Sequence, residues 1–288
     1  MKYIDLHVHS NASDGTDTPS ELVAKAISLG LSAFALTDHD TIQGIEEAIS
    51  AAENFEKQGK KVVVIPGIEL SVAYKGKDIH MLGLFIDYKN DIFCRTLNDI
   101  KEERERRNEK MANNLANSGI DISMGKLRHS DKNAVITRAH FAKYLVKIGV
   151  VKTNQEAFQK YLSSDGPYYV PREYLTPKEG IDLIKMAGGI PVLAHPLLYK
   201  FSDAELEELI QTLKEDGLVG IETFYSMNTG FDEAYVKKFA NKYNLLMTGG
   251  SDYHGTVKPL IELGIGKGNL KIPYSLLEKL EDQRRVSE

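Results

Sequence analysis

Strand-like apolar runs alternate with helix-like segments over residues 1–90 and again from 175 onward, and this alternation limits the fold more than any other feature. KYIDLHV reads as a strand, and Thr18-Pro19-Ser20-Glu21 is a capping box with proline at the first helical position, opening a helix that stops at Gly30. SAFALTD is the next strand, followed by a helix over about 43–59 and the strand KVVVIPGIEL. A hairpin-like SVAYKGKDIHMLGLF comes next, with Gly76 in its turn. Thr176-Pro177-Lys178-Glu179 and Ser202-Asp203-Ala204-Glu205 cap two further helices, IPVLAH, LVGIETF and LLMTGG supply strands, and helices are predicted near 231–243 and 273–282. Such alternation implies parallel pairing through right-handed crossovers, and roughly seven strands suit a barrel better than a minimal open sheet.

Residues 91–174 interrupt this rhythm and read as purely helical, so they are assigned to an inserted helical subdomain between barrel segments 1–90 and 175–288. The insertion carries 15 Lys and Arg against 11 Asp and Glu, a net charge of +4 inside a chain of net charge −5. A basic segment in an acidic chain points to a local task such as holding an anionic substrate. The longest apolar runs, VVVIPGIEL among them, are too short to span a bilayer, and the N-terminus lacks a signal-peptide pattern, so no membrane role is expected. Cys94 is the only cysteine, which excludes an intrachain disulfide and fits a reducing cytoplasm; beside Phe93 it reads as a packing residue.

The histidines fall at strand ends. In the first strand, alternation puts Tyr3, Asp5, His7 and His9 on one face and Ile4, Leu6 and Val8 on the other, with Asp14 in the loop beyond. His39 closes the second strand in TDHD, Glu69 ends the third in GIEL, and His80 lies on the hairpin. His195 follows VLA in AHP, and Asp252 and His254 follow LLMTGG in SDYH. In a β/α barrel these strand ends converge on one mouth. His129, in KLRHSD, has no such context and is assigned to solvent.

Imidazole and carboxylate donors without thiolate suit Zn, Mn or Fe. Nine donors exceed what one ion needs, so two or three divalent ions are expected, with open positions for water and substrate and a carboxylate bridging two of them. Three divalent ions outweigh the charge of Asp14, Glu69 and Asp252, leaving a cationic site that favours a phosphate ester. The ions would generate hydroxide near neutral pH and clamp the phosphoryl oxygens.

HVHSNASDGT, ALTDHDT, GIEL, DIHMLG, AHP and GGSDYHG together resemble the PHP (polymerase and histidinol phosphatase) family, within the amidohydrolase-like metal hydrolases. RAHFAKYLV, QEAFQKYL and YYVPREYLTPKEGIDLIKMAGGIPVLAHP are similar to its stand-alone bacterial phosphoesterases with a helical insertion. The resemblance implies a distorted (β/α)7 barrel, a trinuclear site, and hydrolysis of nucleoside 3′,5′-bisphosphates such as pAp, or trimming of short RNAs from the 5′ end. It assigns His7, His9, Glu69 and Asp252 to one ion, Glu69, His80 and His195 to a second, and Asp14, His39 and His254 to a third. One departure is visible: the subfamily usually reads Arg-Pro-His where this chain has Arg138-Ala139-His140, which keeps both polar residues.

Within the insertion, Phe93, Leu97, Ile100, Met111 and Leu115 mark the apolar stripe of a helix over about 91–118. Carried through the gap, the same spacing lands on Arg104 and then Arg107 or Asn108. An arginine facing inward needs an anionic partner. Lys101, Arg104 and Arg107 are therefore candidates for a second substrate phosphate; the plainer reading is a solvated helix laced by Glu102–Arg106 and Glu103–Arg107 pairs. Arg138 opens the helix RAHFAKYLV and His140 lies just inside it; Arg172, in VPRE, is a further candidate. Asp14 joins the substrate-contacting set, and Asp38 and His140 are the catalytic candidates, Asp38 as orienter of a ligand or as general acid. Glu222 ends a strand at the mouth, and Tyr168 and Tyr169 either pack or stack on a base. The expected substrate is a small phosphorylated nucleotide or short RNA, with no protein partner implied. The rivals are histidinol-phosphate phosphatase, whose substrate has one phosphate and gives inward arginines no task, and a non-catalytic metal-stabilised nucleotide-binding module.

Overall fold

The computed structural model describes residues 2–128, 135–163, 166–170 and 175–287. Seven strands lie side by side in chain order: β1 Ile4–Val8, β2 Ala33–Leu36, β3 Val63–Tyr74, β4 Lys77–Leu84, β5 Ile190–Leu193, β6 Gly220–Tyr225 and β7 Leu246–Gly250. Just past β7 the chain returns to β1, where Asp252 N–H donates to His7 O at 2.8 Å and His9 N–H to Tyr253 O at 3.0 Å. A Cβ at Gly250 would collide with the Cβ and backbone of His7, so this approach requires glycine. The result is a nearly closed α/β barrel, the distorted (β/α)7 architecture expected.

Helices α1 Pro19–Ser28, α2 Ile45–Glu56, α7 Pro177–Met186, α8 Asp203–Asp216, α9 Gly230–Lys242 and α10 Ser275–Ser287 accompany the strands. Thr18, Thr176, Ser202 and Thr229 each close a capping box on an acidic residue three positions later, which fixes where four of these helices begin. The strands are apolar on two sides. One cluster joins Phe34, Leu36 and Ile68 to residues of α1, α2 and α7–α9, and a second joins Ala33, Leu82 and Val192 to Leu277 and Leu280 of α10.

One expected pairing is borne out and two expectations are corrected. Pairing is parallel for β1–β2, β2–β3, β5–β6 and β6–β7; β4 runs antiparallel to β3, the hairpin expected with Gly76 in its turn, and also antiparallel to β5, where the alternation implied parallel pairing. The cause is the two-residue turn Lys75-Gly76, with φ of 48° and 75°, which reverses the chain after a single 12-residue strand that unites GIEL with SVAY. The simple alternation read into β1 also fails. Its pairing with β2 slips between Asp5 and Val8, so Ile4 and Leu6 pack in the α10 cluster while Val8 packs with the outer helices.

The insertion contains α3 Asp91–Asn117, α4 Met124–Leu127, α5 Arg138–Lys147, α6 Asn154–Ala157 and a π-helical turn Phe158–Leu162, so its described elements are all helical. Phe93 and Leu97 of α3 belong to the large barrel cluster, whereas Met111, Ala112 and Leu115 join Phe141, Leu145 and Leu162 in a separate one. Burial of each such side chain stabilises by about 1.5–3 kcal/mol, so both ends of α3 are pinned. Between the two cores the stripe continues as buried Arg104, Arg107 and Asn108. Among the described residues no helix is long and apolar enough to cross a membrane.

Candidate metal centre

All nine ligand candidates meet at one mouth. Glu69, from the middle of β3, is the hub: its Oε2 lies 3.2 Å from His7 Nε2, 3.1 Å from His9 Nε2 and 3.1 Å from His39 Nδ1. Its Oε1 faces His80 Nδ1 at 2.8 Å and His195 Nε2 at 2.9 Å. The β3–β4 register explains His80: it pairs with Ser71, two residues beyond Glu69, and so points to the same side of the hairpin. Asp252 Oδ1 lies 3.4 Å from His9 Nε2 and 3.3 Å from His254 Nδ1, and Asp14 Oδ1 lies 3.2 Å from His254 Nε2. Three overlapping donor groups result: His7, His9 and Glu69; His39, Glu69 and His80; and His9, Asp14, His39 and His254.

The donors fit metal ions. Nε2 of His7, both ring nitrogens of His9, Nδ1 of His39 and Oε2 of Glu69 are buried without a hydrogen-bond partner, although they converge within ion-pair distance. Buried polar atoms are rarely left so, and a shared cation would satisfy them together. The electrostatics agree. Burial works to raise the Glu69, Asp14 and Asp252 carboxyls, but the surrounding histidines, with Lys258 at Asp252, hold all three well below the usual carboxylate range. Burial pushes His9 well down and His39 down to about 4, keeping these imidazoles neutral as metal donors must be. At His7 burial opposes protonation, yet Glu69, Glu222 and Asp252 outweigh it and favour positive charge there.

A surrounding layer holds the donors. Glu222, placed at the mouth from sequence, lies 3.0 Å from His7 Nδ1 through Oε1 and accepts from His195 N–H at 2.8 Å through Oε2. Asp38 accepts from Ser10 N–H at 2.8 Å, Ser10 Oγ at 2.6 Å and Ser13 Oγ at 2.5 Å; burial raises its carboxyl to about 6 despite these bonds. Its contacts thus fix the loop between His9 and Asp14. His195 and Asp252 have positive φ, 26° and 56°, strained conformations held by the closed mouth.

The insertion closes over this centre. A cavity of about 200 Å³ is lined by Asp14, His39 and His80 from the barrel and by Arg104, Arg107 and Arg138 from α3 and α5. The inward arginines do face anions, but protein ones: Arg104 pairs with Asp40 and donates to Ser71 Oγ at 2.9 Å, and Arg138 pairs with Asp78 at 2.9 Å. Of the helix pairs considered from sequence, Glu103 instead pairs with Arg106, at 2.6 Å. Lys101 is half-buried one turn before Arg104 and does not line this cavity. His140 accepts Thr137 N–H at Nδ1, 3.1 Å, in the cap of α5, and lines a neighbouring cleft with Asp14. Tyr168 stacks on Tyr161 at 5.8 Å, Tyr169 lies under Arg138 at 5.7 Å, and Cys94 donates to Tyr88 O at 3.3 Å. Arg172 and His129 lie outside the described residues.

Sequence reasoning missed several contacts. Thr137 Oγ1 donates to Asp14 Oδ2 at 2.9 Å, and Asp252 Oδ2 accepts from Tyr225 OH at 2.8 Å and Lys258 Nζ at 2.6 Å. Asp40 stands in the TDHD motif beside His39, so its carboxylate was visible; Thr137, Tyr225 and Lys258 carry no local signal.

A barrel mouth with clustered imidazole and carboxylate donors, covered by an arginine-bearing insertion, defines a multinuclear metal-dependent hydrolase. The PHP domain model matches residues 5–222, and the chain belongs to that family; it is a metal-dependent phosphoesterase. It is 33% identical over 260 residues to the 5′-3′ exoribonuclease Rnm of Escherichia coli, covering 90% of this chain and 87% of the relative. It is 34% identical over 255 residues to the 3′,5′-nucleoside bisphosphate phosphatase of Chromobacterium violaceum, covering 88% of each. The structure of an amidohydrolase from the latter organism, with bound sulfate and no metal, matches with a TM-score of 0.86 and 31% identity, covering 98% of this chain and 96% of that one.

Proposed function

We propose that this phosphoesterase hydrolyses nucleotides bearing a second phosphate: nucleoside 3′,5′-bisphosphates such as pAp, or the 5′ end of a short RNA. The observation that carries the reading is the shared cavity, where Arg104, Arg107 and Arg138 stand beside His39, His80 and Asp14. The printed activities of the two relatives, a bisphosphate phosphatase and an exoribonuclease, support it. In this account residues 1–90 and 175–288 form the catalytic barrel, and 91–174 the substrate-binding subdomain.

His7, His9, Glu69 and Asp252 would hold one ion, Glu69, His80 and His195 a second, and Asp14, His39 and His254 a third. When bound, Mn, Zn or Fe ions in such a centre activate water and stabilise charge on the phosphoryl oxygens. The chain's own residues do the rest. Glu222 orients His7 and the His195 backbone, and Asp38 acts by positioning, through the loop that separates His9 from Asp14. Arg107 and Arg104 receive the second phosphate, the latter while balanced by Asp40. Arg138 and His140, at the start of α5, bound the substrate beside Asp14. The single cysteine supports a reducing, cytoplasmic setting.

The test is metal analysis combined with phosphate release from pAp, AMP, histidinol phosphate and a 5′-phosphorylated oligoribonucleotide. The reading expects bound divalent metal and a higher kcat/KM for pAp or the oligonucleotide than for AMP and histidinol phosphate. Histidinol phosphate as the preferred substrate would overturn it, and metal and AMP binding without phosphate release would favour the idle binding module.

A further inference from the structure

A second cleft, of about 270 Å³, opens on the other side of Asp14, between the barrel loop 11–16 and helices α4 and α5. Its helical wall carries His140, Lys143, Tyr144 and Lys147 from α5, at positions that share one face of the helix, and Lys126 from α4. Among the described residues Asp14 is the only carboxylate lining it, and in the account above that group belongs to the metal centre. Lys126 is paired with the exposed Asp121, while Lys143 and Lys147 form no ion pair among the described residues. Tyr144 is half-buried between them, its hydroxyl donating to Asp121 O at 3.0 Å.

We infer that this cleft is a binding track for a single-stranded oligoribonucleotide, seating the chain that runs away from the 5′ end held at the metal centre. The inference rests on the proposed nucleotide-phosphoesterase activity and extends it to the substrate's length. Two observations select this ligand. The unpaired ammonium groups stand one helical turn apart and so can meet successive backbone phosphates, and an aromatic ring lies among them, the combination by which proteins hold single strands through charge and base stacking. The cleft also meets the arginine cavity at Asp14 and Ala139, both of which line each, so a bound strand could occupy the two without a break. A mononucleotide bisphosphate would have its charge met on the arginine side and leave the lysine side without a partner. The track is short, in keeping with a chain whose overall charge is negative.

The test is fluorescence anisotropy of a 3′-labelled, 5′-phosphorylated hexaribonucleotide titrated with the full-length protein at several salt concentrations. Lys143→Gln/Lys147→Gln should bind at least fivefold more weakly than the wild type. Each lost phosphate contact should lower the slope of log affinity against log salt by about 0.7, so the pair should lower it by about 1.4. Lys143→Arg/Lys147→Arg should restore both. A Gln pair that binds RNA with wild-type affinity and slope would overturn the inference, as would an Arg pair as weak as the Gln pair. Lysine-dependent binding by a wild-type protein that releases phosphate from neither pAp nor RNA would support the track and defeat the hydrolytic reading, so the two failures are separable.

Discussion

Thr137, the N-cap of α5, donates its hydroxyl hydrogen to Asp14 Oδ2 across 2.9 Å, a hydrogen bond that ties the helical insertion directly to a ligand candidate at the barrel mouth. The residues are 123 positions apart, and the same hydroxyl also caps α5 by accepting from Ala139 N–H. The insertion is thereby registered against a ligand candidate rather than merely laid over the barrel.

Thr137→Val keeps the shape of the side chain and removes both bonds. Loss of the cap and of a charge-assisted bond should destabilise by about 1–3 kcal/mol. Thermal melting should report a lower Tm, and kcat/KM for pAp should fall about tenfold as Asp14 loses its restraint. A variant with wild-type Tm and rate would show that the bond contributes nothing.

Asp14 and the His7–His9 pair are assigned to different ions. Asp14→Asn, or one residue inserted in the SNAS loop, should therefore remove about one metal equivalent per chain by elemental analysis while the others remain. Loss of all metal at once would mean that the donors form one indivisible cluster.

The two buried arginines of α3 should respond differently. Arg104→Ala removes the cation paired with the buried Asp40 carboxylate, and breaking such a pair costs about 3–5 kcal/mol, so its first effect is on stability. Arg107 donates to Met111 Sδ at 2.9 Å and lines the cavity beside His39 and His80. Arg107→Ala should lower kcat/KM on pAp by roughly 10–100-fold, the worth of a charged hydrogen bond, and on AMP by much less. Equal losses on both substrates would remove the second-phosphate role.

Glu222 touches two ligand candidates without being one of the nine. Glu222→Gln keeps its size and weakens its hold on His7 Nδ1 and the His195 backbone, so metal affinity should drop about 10–100-fold. Competition against a chelator measures this, and an unchanged metal affinity would place Glu222 outside the machinery.

The centre was legible because most of the donors fall in or just after strands whose local pattern is strong, so HVH, TDH, GIE, AHP and SDYH could be set at a common mouth, although Glu69 and His80 prove to lie within β3 and β4. Arg104 and Arg107 were legible for a similar reason: they continue the phase of a stripe that begins at Phe93. What stayed hidden depends on distant partners. The hairpin at Lys75-Gly76 was legible, but the antiparallel pairing of β4 with β5 depends on a strand about a hundred residues away. The slip in β1 arises from its seating against β2 and leaves no mark in IDLHV. Asp40 under Arg104, Asp78 under Arg138 and Lys258 on Asp252 join separate segments of chain, and no periodicity encodes them.

The most direct test of the account is phosphate release from pAp by the purified protein before chelation, after exhaustive chelation, and after each of Mn²⁺, Zn²⁺ and Fe²⁺ is returned. The account predicts release that disappears with the metal and returns with at least one of these ions, and that stays absent in Glu69→Gln under every condition. Release unaffected by chelation, or undiminished in Glu69→Gln, would contradict it.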